Sequence, residues 1–292
     1  MIEEIAYGKI NLAMNILGRR PDGYHEVDTV YQSVDLHDTV CLEKSDTFSL
    51  TCSCGELPCD ESNLAYRAYK ALLPFSEDLQ AVRIHIEKRI PVAAGLAGGL
   101  ARFVGRVVGG SADCAAVLRG LNRLWRLALP DEALRRIGRS LGADVPFCIS
   151  GGTMRAGGIG EILVPLKKLP PWDVLIVHPH VLVHTDEAYD LFTHSCTAHA
   201  VDMGEMVNSV AAQDFESICS AMGNMFESLI MPHVPAVGRC KDMLTRLGLM
   251  PLMTGSGPTV FALVPPEKDG EEMATALREA GRNVDVIVTA LR

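Results

Sequence analysis

The sequence is short of positive charge. Lys and Arg number 27 against 36 Asp and Glu, a formal charge of −9 over 292 residues. Sequence-independent nucleic-acid binding needs a basic excess to displace counterions, so no nucleic-acid partner is expected. Small anionic ligands stay open, because a local pocket can oppose the global sign. The chain also lacks the run of ~20 apolar residues that a membrane span requires. The longest apolar candidate, 174–183, is broken by His178, Pro179 and His180. Glu3 and Glu4 stand where a signal peptide has a basic segment followed by an apolar stretch, so no membrane association is expected. CxxC pairs are missing as well. Nine cysteines, an odd number spread from Cys41 to Cys240, fit a reduced cytoplasmic chain. Cys52, Cys54 and Cys59 cluster without a second knuckle, and His178 and His180 have no convincing third ligand, so no metal site is expected from either group. The second pair reads instead as a strand end turned by Pro179.

What is present is an ordinary globular composition, 48% apolar and 22% charged. The length suits one large domain or two of usual size. The first ninety residues read mostly as strands. Val82, Ile84 and Ile86 alternate with Arg83, His85 and Glu87, the period of a half-buried strand. A second strand region, 27–42, has polar breaks at Asp35 and at His37-Asp38, and a helix is expected over 63–73. The middle is helical. Ser111 reads as an N-cap, with Asp113 in the first turn where the dipole favours an acid, and Ala115, Val117, Leu118, Leu121, Leu124 and Trp125 form one broad face. A further helix over 131–141 has Gly142 as its expected C-cap. The texture changes over 151–168, where a domain boundary is expected. Beyond it come a strand at 173–177, two or three helices between Asp186 and Leu247, a strand at 259–264, a helix at 271–280 and a strand at 284–289. There is no 20–50-residue repeat and no regular βαβ alternation, so the fold class is α+β.

The most informative stretch is Pro91-Val92-Ala93-Ala94-Gly95-Leu96-Ala97-Gly98-Gly99, followed later by Gly109-Gly110-Ser111. Glycines before a helix let backbone N–H groups turn toward an anion, and the dipole then favours phosphate. The pattern is neither GxxxxGK[ST] nor a convincing GxGxxG. Glycine content alone leaves an ordinary turn equally open. Three more segments stand out. Lys9 and Asn11 lie in an apolar N-terminal stretch, where a lone Lys is ordinarily a solvated charge. Asp144 follows a helix within Gly142-Ala143-Asp144-Val145-Pro146-Phe147, where an acid is ordinarily a cap or a salt-bridge partner. Met253-Thr254-Gly255-Ser256-Gly257 alone would be a hairpin turn.

In this order, and over essentially the whole chain, these segments resemble the GHMP kinase superfamily of ATP-dependent small-molecule kinases. Arg20-Pro21-Asp22-Gly23-Tyr24-His25 and the Gly142–Phe147 segment are similar to the branch acting on a cytidine diphosphate-linked sugar alcohol. The resemblance implies a two-domain GHMP-kinase-like fold, with an N-terminal domain of 1–160, a C-terminal domain of 161–292 and the active site in the cleft between them. It implies ATP and Mg²⁺ as cofactors, a small-molecule substrate, and a cytoplasmic monomer or weak homodimer. It assigns Asp144 as the catalytic acid that accepts the substrate hydroxyl proton, with Lys9 beside it as a fixed positive charge. Pro91 to Gly99, with Gly109, Gly110 and Ser111, hold the nucleotide. Asn11 is a polar substrate contact, and Tyr24 and His25 belong to the cytidine site. Tyr189 falls where a second aromatic stacks on the base, although a helix-surface Tyr is as good a reading. Gly255, Ser256 and Gly257 support the active-site loop. Another alcohol substrate remains an alternative.

One departure interrupts the pattern. Residues Leu100 to Gly110 sit inside the loop, repeat the Gly-Gly pair and bring two arginines, Arg102 and Arg106. Three outcomes are open: an outward bulge while the loop halves still meet, a blocked phosphate site in an impaired homologue, or a duplication without a selected role. A bulge is thermodynamically easy, because closure cost grows only as the logarithm of loop length. The arginines are either phosphate contacts or solvated side chains.

Overall fold

The computed structural model describes residues 1–76, 81–99, 108–193, 199–280 and 283–292. They form two compact units that interleave along the chain. One comprises Met1–Gly8, Leu36–Val92 and Ala97–Gly151, the other Lys9–Asp35, Ala93–Leu96 and Gly152–Arg292.

The first unit contains the start of β1 (Ile2–Arg19) and the end of β2 (His25–Lys44). It continues with β3 (Ser49–Cys52), α1 (Leu64–Leu72), β4 (Val82–Glu87), α2 (Ser111–Leu124), α3 (Asp131–Arg139) and α4 (Val145–Ser150). β4 pairs antiparallel with β2, from Thr39↔Glu87 to Lys44↔Val82, and parallel with β3. Its alternation is as the sequence implies, with Val82, Ile84 and Ile86 buried. The expected polar breaks do not interrupt β2, which runs continuously to Lys44. Asp38 keeps the inward phase of Val40 and Leu42, and its buried carboxylate meets the ammonium of Lys88. α2 is buried around most of its circumference, with α1 and α4 packed on it and α3 packed on α4.

Three helix ends differ from expectation. Asn63 stands outside α1 and caps it, accepting from Ala65 N–H at 2.9 Å. Gly110, not Ser111, is the N-cap of α2, so Ser111 is its first helical residue and makes no cap bond. α3 stops at Arg139 with Ser140 as its C-cap, ahead of Gly142. The Ser140 hydroxyl already satisfies the Ile137 carbonyl at 2.7 Å, and the Gly142 N–H returns to Gly138 O at 3.0 Å, so no left-handed glycine cap is required.

The second unit adds β5 (Thr153–Gly157), β6 (Ile162–Pro165), β7 (Asp173–Pro179), α5 (Thr185–Thr193), α6 (Met203–Ala212), α7 (Phe215–Ala221), β8 (Gly223–Asn224), α8 (Met225–Ile230), α9 (Pro235–Arg246), β9 (Leu252–Met253), β10 (Val260–Leu263), α10 (Gly270–Ala280) and β11 (Val284–Ala290). A four-stranded antiparallel sheet has the order β11-β7-β10-β9. β7 does not end before its proline but runs through it, with Pro179 opposite Val284. Within the same unit, β8 pairs with Ala13–Met14 of β1, and β5 pairs with Thr29–Gln32 of β2.

Among the described residues, five helices, not two or three, lie between Thr185 and Arg246. Asp202, Asp214 and Asn224 each cap a new start, and α7 and α8 span only 7 and 6 residues, too short for a helical period to declare itself. Leu175, Val177, Val260 and Ala262 of the sheet share one core with Phe226, Leu229, Val237 and Leu244. Among the described residues, no helix is long and apolar enough to cross a membrane.

Candidate active site

Lys9 and Asn11 follow each other on one face of β1, and both are buried, at 4% and 1% exposure. The Lys9 N–H donates to Leu96 O at 3.2 Å, which ties the strand to the glycine loop. Its ammonium donates to Asn11 Oδ1 at 2.8 Å and lies 5.4 Å from the Tyr31 ring centroid. Asn11 Nδ2 donates to Thr29 Oγ1 at 2.8 Å, and the Thr29 hydroxyl in turn donates to Ala13 O at 2.7 Å. This chain of donors fixes the Asn11 amide, with its oxygen toward the cation. Thr254 locks the other side. Its Oγ1 accepts from Asn11 N–H at 3.1 Å and donates to Asn11 Oδ1 at 3.3 Å. Thr29 is marked by no motif, and Thr254 lies inside the second glycine turn without a role assigned to it, so sequence reading missed both.

Thr254 opens the second glycine loop. Gly257 N–H returns to Thr254 O at 3.0 Å, and Thr254 N–H donates to Thr259 O at 3.0 Å. Gly95 packs against this turn at φ +72°, where a Cβ would stand 2.5 Å from Thr254 O. Only glycine fits that conformation and that gap. Ser256 Oγ is 3.1 Å from Thr185 Oγ1. A further residue, absent from the sequence reading, organises the loop. Asn224 Nδ2 donates to Met253 O at 2.7 Å and Gly255 O at 2.8 Å, while its Oδ1 accepts from Phe226 N–H at 3.0 Å. Asn224→Ala removes the partners of two carbonyls and one amide, each worth about 1–3 kcal/mol when buried. We expect a loss on the order of 3 kcal/mol, read as a lower urea midpoint, whereas an unchanged midpoint would contradict this role.

His25 and Tyr189, far apart in sequence, stack at 4.7 Å and 17°. Phe192 and Phe226 meet this pair edge-on, at 6.1 Å from His25 and 4.9 Å from Tyr189. Burial, helped by Arg19 and opposed by Asp190, holds the His25 pKa below its ordinary value and favours the neutral ring. Tyr24 sits on the preceding turn, closed by Arg20 N–H to Tyr24 O at 2.7 Å, and its side chain is 60% exposed.

In the first unit, Gly98 and Gly99 meet Gly109 and Gly110. Ala112 N–H donates to Ala97 O at 3.2 Å, and a Cβ on Gly99 would lie 3.0 Å from Gly109 C and Gly110 N. The two Gly-Gly pairs are therefore neighbours, and the chain flanking the inserted residues closes on itself. Val108 is anchored by Leu64 N–H to Val108 O at 2.8 Å and Val108 N–H to Ser62 O at 3.0 Å. Gly109-Gly110 is the pair that leads into α2. Residues 100–107, with Arg102 and Arg106, lie outside the described residues. Ala93 and Ala97 hold φ of 56° and 66°, left-handed values that cost a non-glycine on the order of 1 kcal/mol each. Asp113 stands in the first turn of α2 as expected, but it is 1% exposed, and its Oδ2 accepts from Lys88 at 2.9 Å.

Asp144 is half-buried at the N-cap of α4, yet makes no side-chain cap bond to that helix. A Cβ on Gly142 would stand 3.6 Å from Ser111 Oγ, so the turn carrying Asp144 lies beside the start of α2. Cys52, Cys54 and Cys59 are free thiols, and among the described residues no three His, Cys, Asp or Glu group to hold a metal ion.

Comparison with known proteins agrees with this anatomy. Two family models match, GHMP kinases N terminal domain over residues 63–152 and GHMP kinases C terminal over residues 206–283, which sets the class. The chain is 41% identical to 4-diphosphocytidyl-2-C-methyl-D-erythritol kinase of Exiguobacterium sibiricum, covering 97% of this chain and 96% of that one. It is 40% identical to the Brevibacillus brevis enzyme of the same name, covering 97% and 94%. It belongs to the 4-diphosphocytidyl-2-C-methyl-D-erythritol kinase family. A crystal structure of 4-(cytidine 5'-diphospho)-2C-methyl-D-erythritol kinase superposes with a TM-score of 0.80 at 31% identity, covering 99% of each chain. Homoserine kinase from Cytophaga hutchinsonii shares the fold, with a TM-score of 0.70 at 21% identity over 99% of this chain and 95% of that one. The protein is thus a kinase-class enzyme with the α+β, two-domain GHMP-kinase-like fold that its sequence implies.

Proposed function

We propose that the protein transfers a phosphoryl group from ATP to the 2-hydroxyl of 4-diphosphocytidyl-2-C-methyl-D-erythritol, a step of non-mevalonate isoprenoid precursor synthesis. The observation that carries this reading is the paired His25 and Tyr189 rings. A sugar or amino-acid alcohol has no use for them, whereas a cytosine needs an aromatic face and a neutral ring able both to donate and to accept. The exposed ring of Tyr24 adds a second face.

The glycine loop leading into α2 suits the nucleotide phosphates, because its helix start presents backbone donors and a positive dipole end. ATP with Mg²⁺ supplies the transferable phosphoryl group and neutralises its charge. Mg²⁺ keeps most of its waters and binds chiefly through phosphates, so it needs only one or two protein oxygens, of which Ser111 Oγ is the candidate. Asp144 accepts the proton leaving the substrate hydroxyl. Lys9 supplies fixed positive charge for the developing alkoxide. Asn11 holds the lysine head and offers a polar contact to the substrate.

The test is ATP consumption by the full chain with 4-diphosphocytidyl-2-C-methyl-D-erythritol, mevalonate or homoserine. Turnover is expected with the first alone. Cytidine nucleotides at about 100 times their Kd are expected to add roughly 2.7 kcal/mol of thermal protection. Preference for mevalonate or homoserine, or no protection by cytidine nucleotides, would move the assignment to another small-alcohol kinase. Absence of ATP binding would make the chain an impaired homologue.

A further inference from the structure

Lys88, Asp38 and Asp113 form a buried charge cluster behind the glycine loop, with side chains 5%, 0% and 1% exposed. No motif marks any of the three as a unit, and they come from three different elements. Lys88 immediately follows β4 in the inward phase of Ile84 and Ile86, Asp38 lies on β2, and Asp113 is in the first turn of α2. The ammonium has three N–H donors and uses each once: to Gly98 O at 2.7 Å, to Asp113 Oδ2 at 2.9 Å and to Asp38 Oδ2. The other Asp38 oxygen accepts from Arg89 N–H at 2.5 Å and Ile90 N–H at 2.8 Å, which pins the segment that leads into Pro91.

Two details tie this cluster to the loop. Asp113 Oδ2 packs directly on Gly110, where a Cβ would stand 2.6 Å from it. The glycine before α2 is thus demanded by the cluster, since its φ of −84° is open to any residue. The Gly98 carbonyl is drawn inward to the ammonium. A trans peptide is planar, so the N–H of Gly99 then faces the opposite way, out of the cluster.

Stability alone is a poor account of three buried charges, because replacing such a group by apolar residues is often neutral or stabilising. Asp113 Oδ1 is buried with no hydrogen-bond partner, a further cost to stability. Burial pushes the Asp113 pKa up, against the pull of Lys88 and with the help of Asp38. Burial also draws the Lys88 pKa down, but the two carboxylates outweigh it and leave the ammonium firmly charged.

We propose that Lys88 is a positioning residue for the phosphate loop. Its ammonium clips Gly98 to the first turn of α2, and so fixes the Gly99 N–H as an anion donor and holds the loop closed across the inserted residues. The part concerning ATP rests on the kinase reading above, while the clip itself does not.

The experiment uses the full chain with Lys88→Met, and with the triple change Lys88→Met, Asp38→Asn, Asp113→Asn. The triple variant leaves no uncompensated buried charge if the single one fails to fold. Amide hydrogen exchange without nucleotide is expected to rise about tenfold or more at 97–99 and 109–112, with the β7 and β10 amides unchanged. KM for ATP is expected to rise about tenfold, with kcat within about threefold and KM for the alcohol unchanged. A merely structural cluster would lower the denaturation midpoint without that split. A folded triple variant with parental exchange at the loop overturns the clip. Parental KM for ATP with faster loop exchange overturns its role in nucleotide binding. If the parent chain binds no ATP, the kinase reading falls, and the exchange result alone decides the clip.

Discussion

Asp144→Asn is expected to lower kcat by about 10²–10⁴, the usual range for loss of a general base, while KM for both substrates stays within about threefold. An amide of nearly the same shape takes the place of the carboxylate but cannot accept the hydroxyl proton. The substitution leaves the start of α4 intact. An N-cap acid ordinarily contributes about 1 kcal/mol through its side chain, and its loss would blur folding with chemistry. Asp144 stands at the N-cap of α4 without making that bond, and the helix start is set instead by Pro146 in the first turn and by Cys148 N–H to Asp144 O at 3.0 Å. Both are backbone features that survive the change. The helix start should therefore survive, and the thermal midpoint, taken on the same samples, separates folding from chemistry. Pre-steady-state mixing with ATP separates the chemical step from product release. Turnover near the parental rate would remove Asp144 from the role of base, and a collapsed midpoint would make it structural.

Much of this arrangement is legible in the sequence. The β4 alternation, the helix after Ser111, the strands after Asp173 and the two glycine turns all follow from period and turn chemistry. The misses have physical causes. Asp35 and His37-Asp38 look like strand breaks because polarity is read one residue at a time. The period-2 phase that buries Val40 and Leu42 also buries Asp38, and Lys88 continues the phase of Ile84 and Ile86 in the same way. Two opposite charges in inward phase, one on β2 and one just past the end of β4, were the available signal. Thr29, Thr254 and Asn224 left no such trace. They contribute hydrogen bonds across 18, 243 and 29 to 31 residues of sequence, and only the tertiary fold brings those partners together. The insertion is an intermediate case. Its repeated Gly-Gly was visible, but that the two pairs would stand side by side depends on Asn63, Val108 and Ala97, which hold the flanks from outside the repeat.

Lys9→Met is expected to cost about 10²–10³ in kcat/KM, in the range of removing one preorganised electrostatic contact from a water-poor site. Several features make the position of that charge matter more than its presence. The ammonium is 4% exposed as a residue, donates to a neutral amide oxygen and lies near an aromatic face, so water screens it little. Asn11 is itself held by Thr29 and Thr254 from both sides, and the Lys9 backbone is tied to Leu96, so the head group is aimed by a network with little freedom. Lys9→Arg should then fail to rescue. A planar fork of five donors cannot replace a compact ammonium facing one carbonyl oxygen, and at least a tenfold loss should remain. Asn11→Ala supplies the control. It keeps the charge and removes its guide, and should fall between parent and Lys9→Met, chiefly in kcat. The denaturation midpoint, taken on the same samples, separates lost chemistry from lost folding. Full activity in Lys9→Arg would mean that charge alone suffices and that the Asn11 network serves the fold. Full activity in Lys9→Met would remove Lys9 from the reaction altogether.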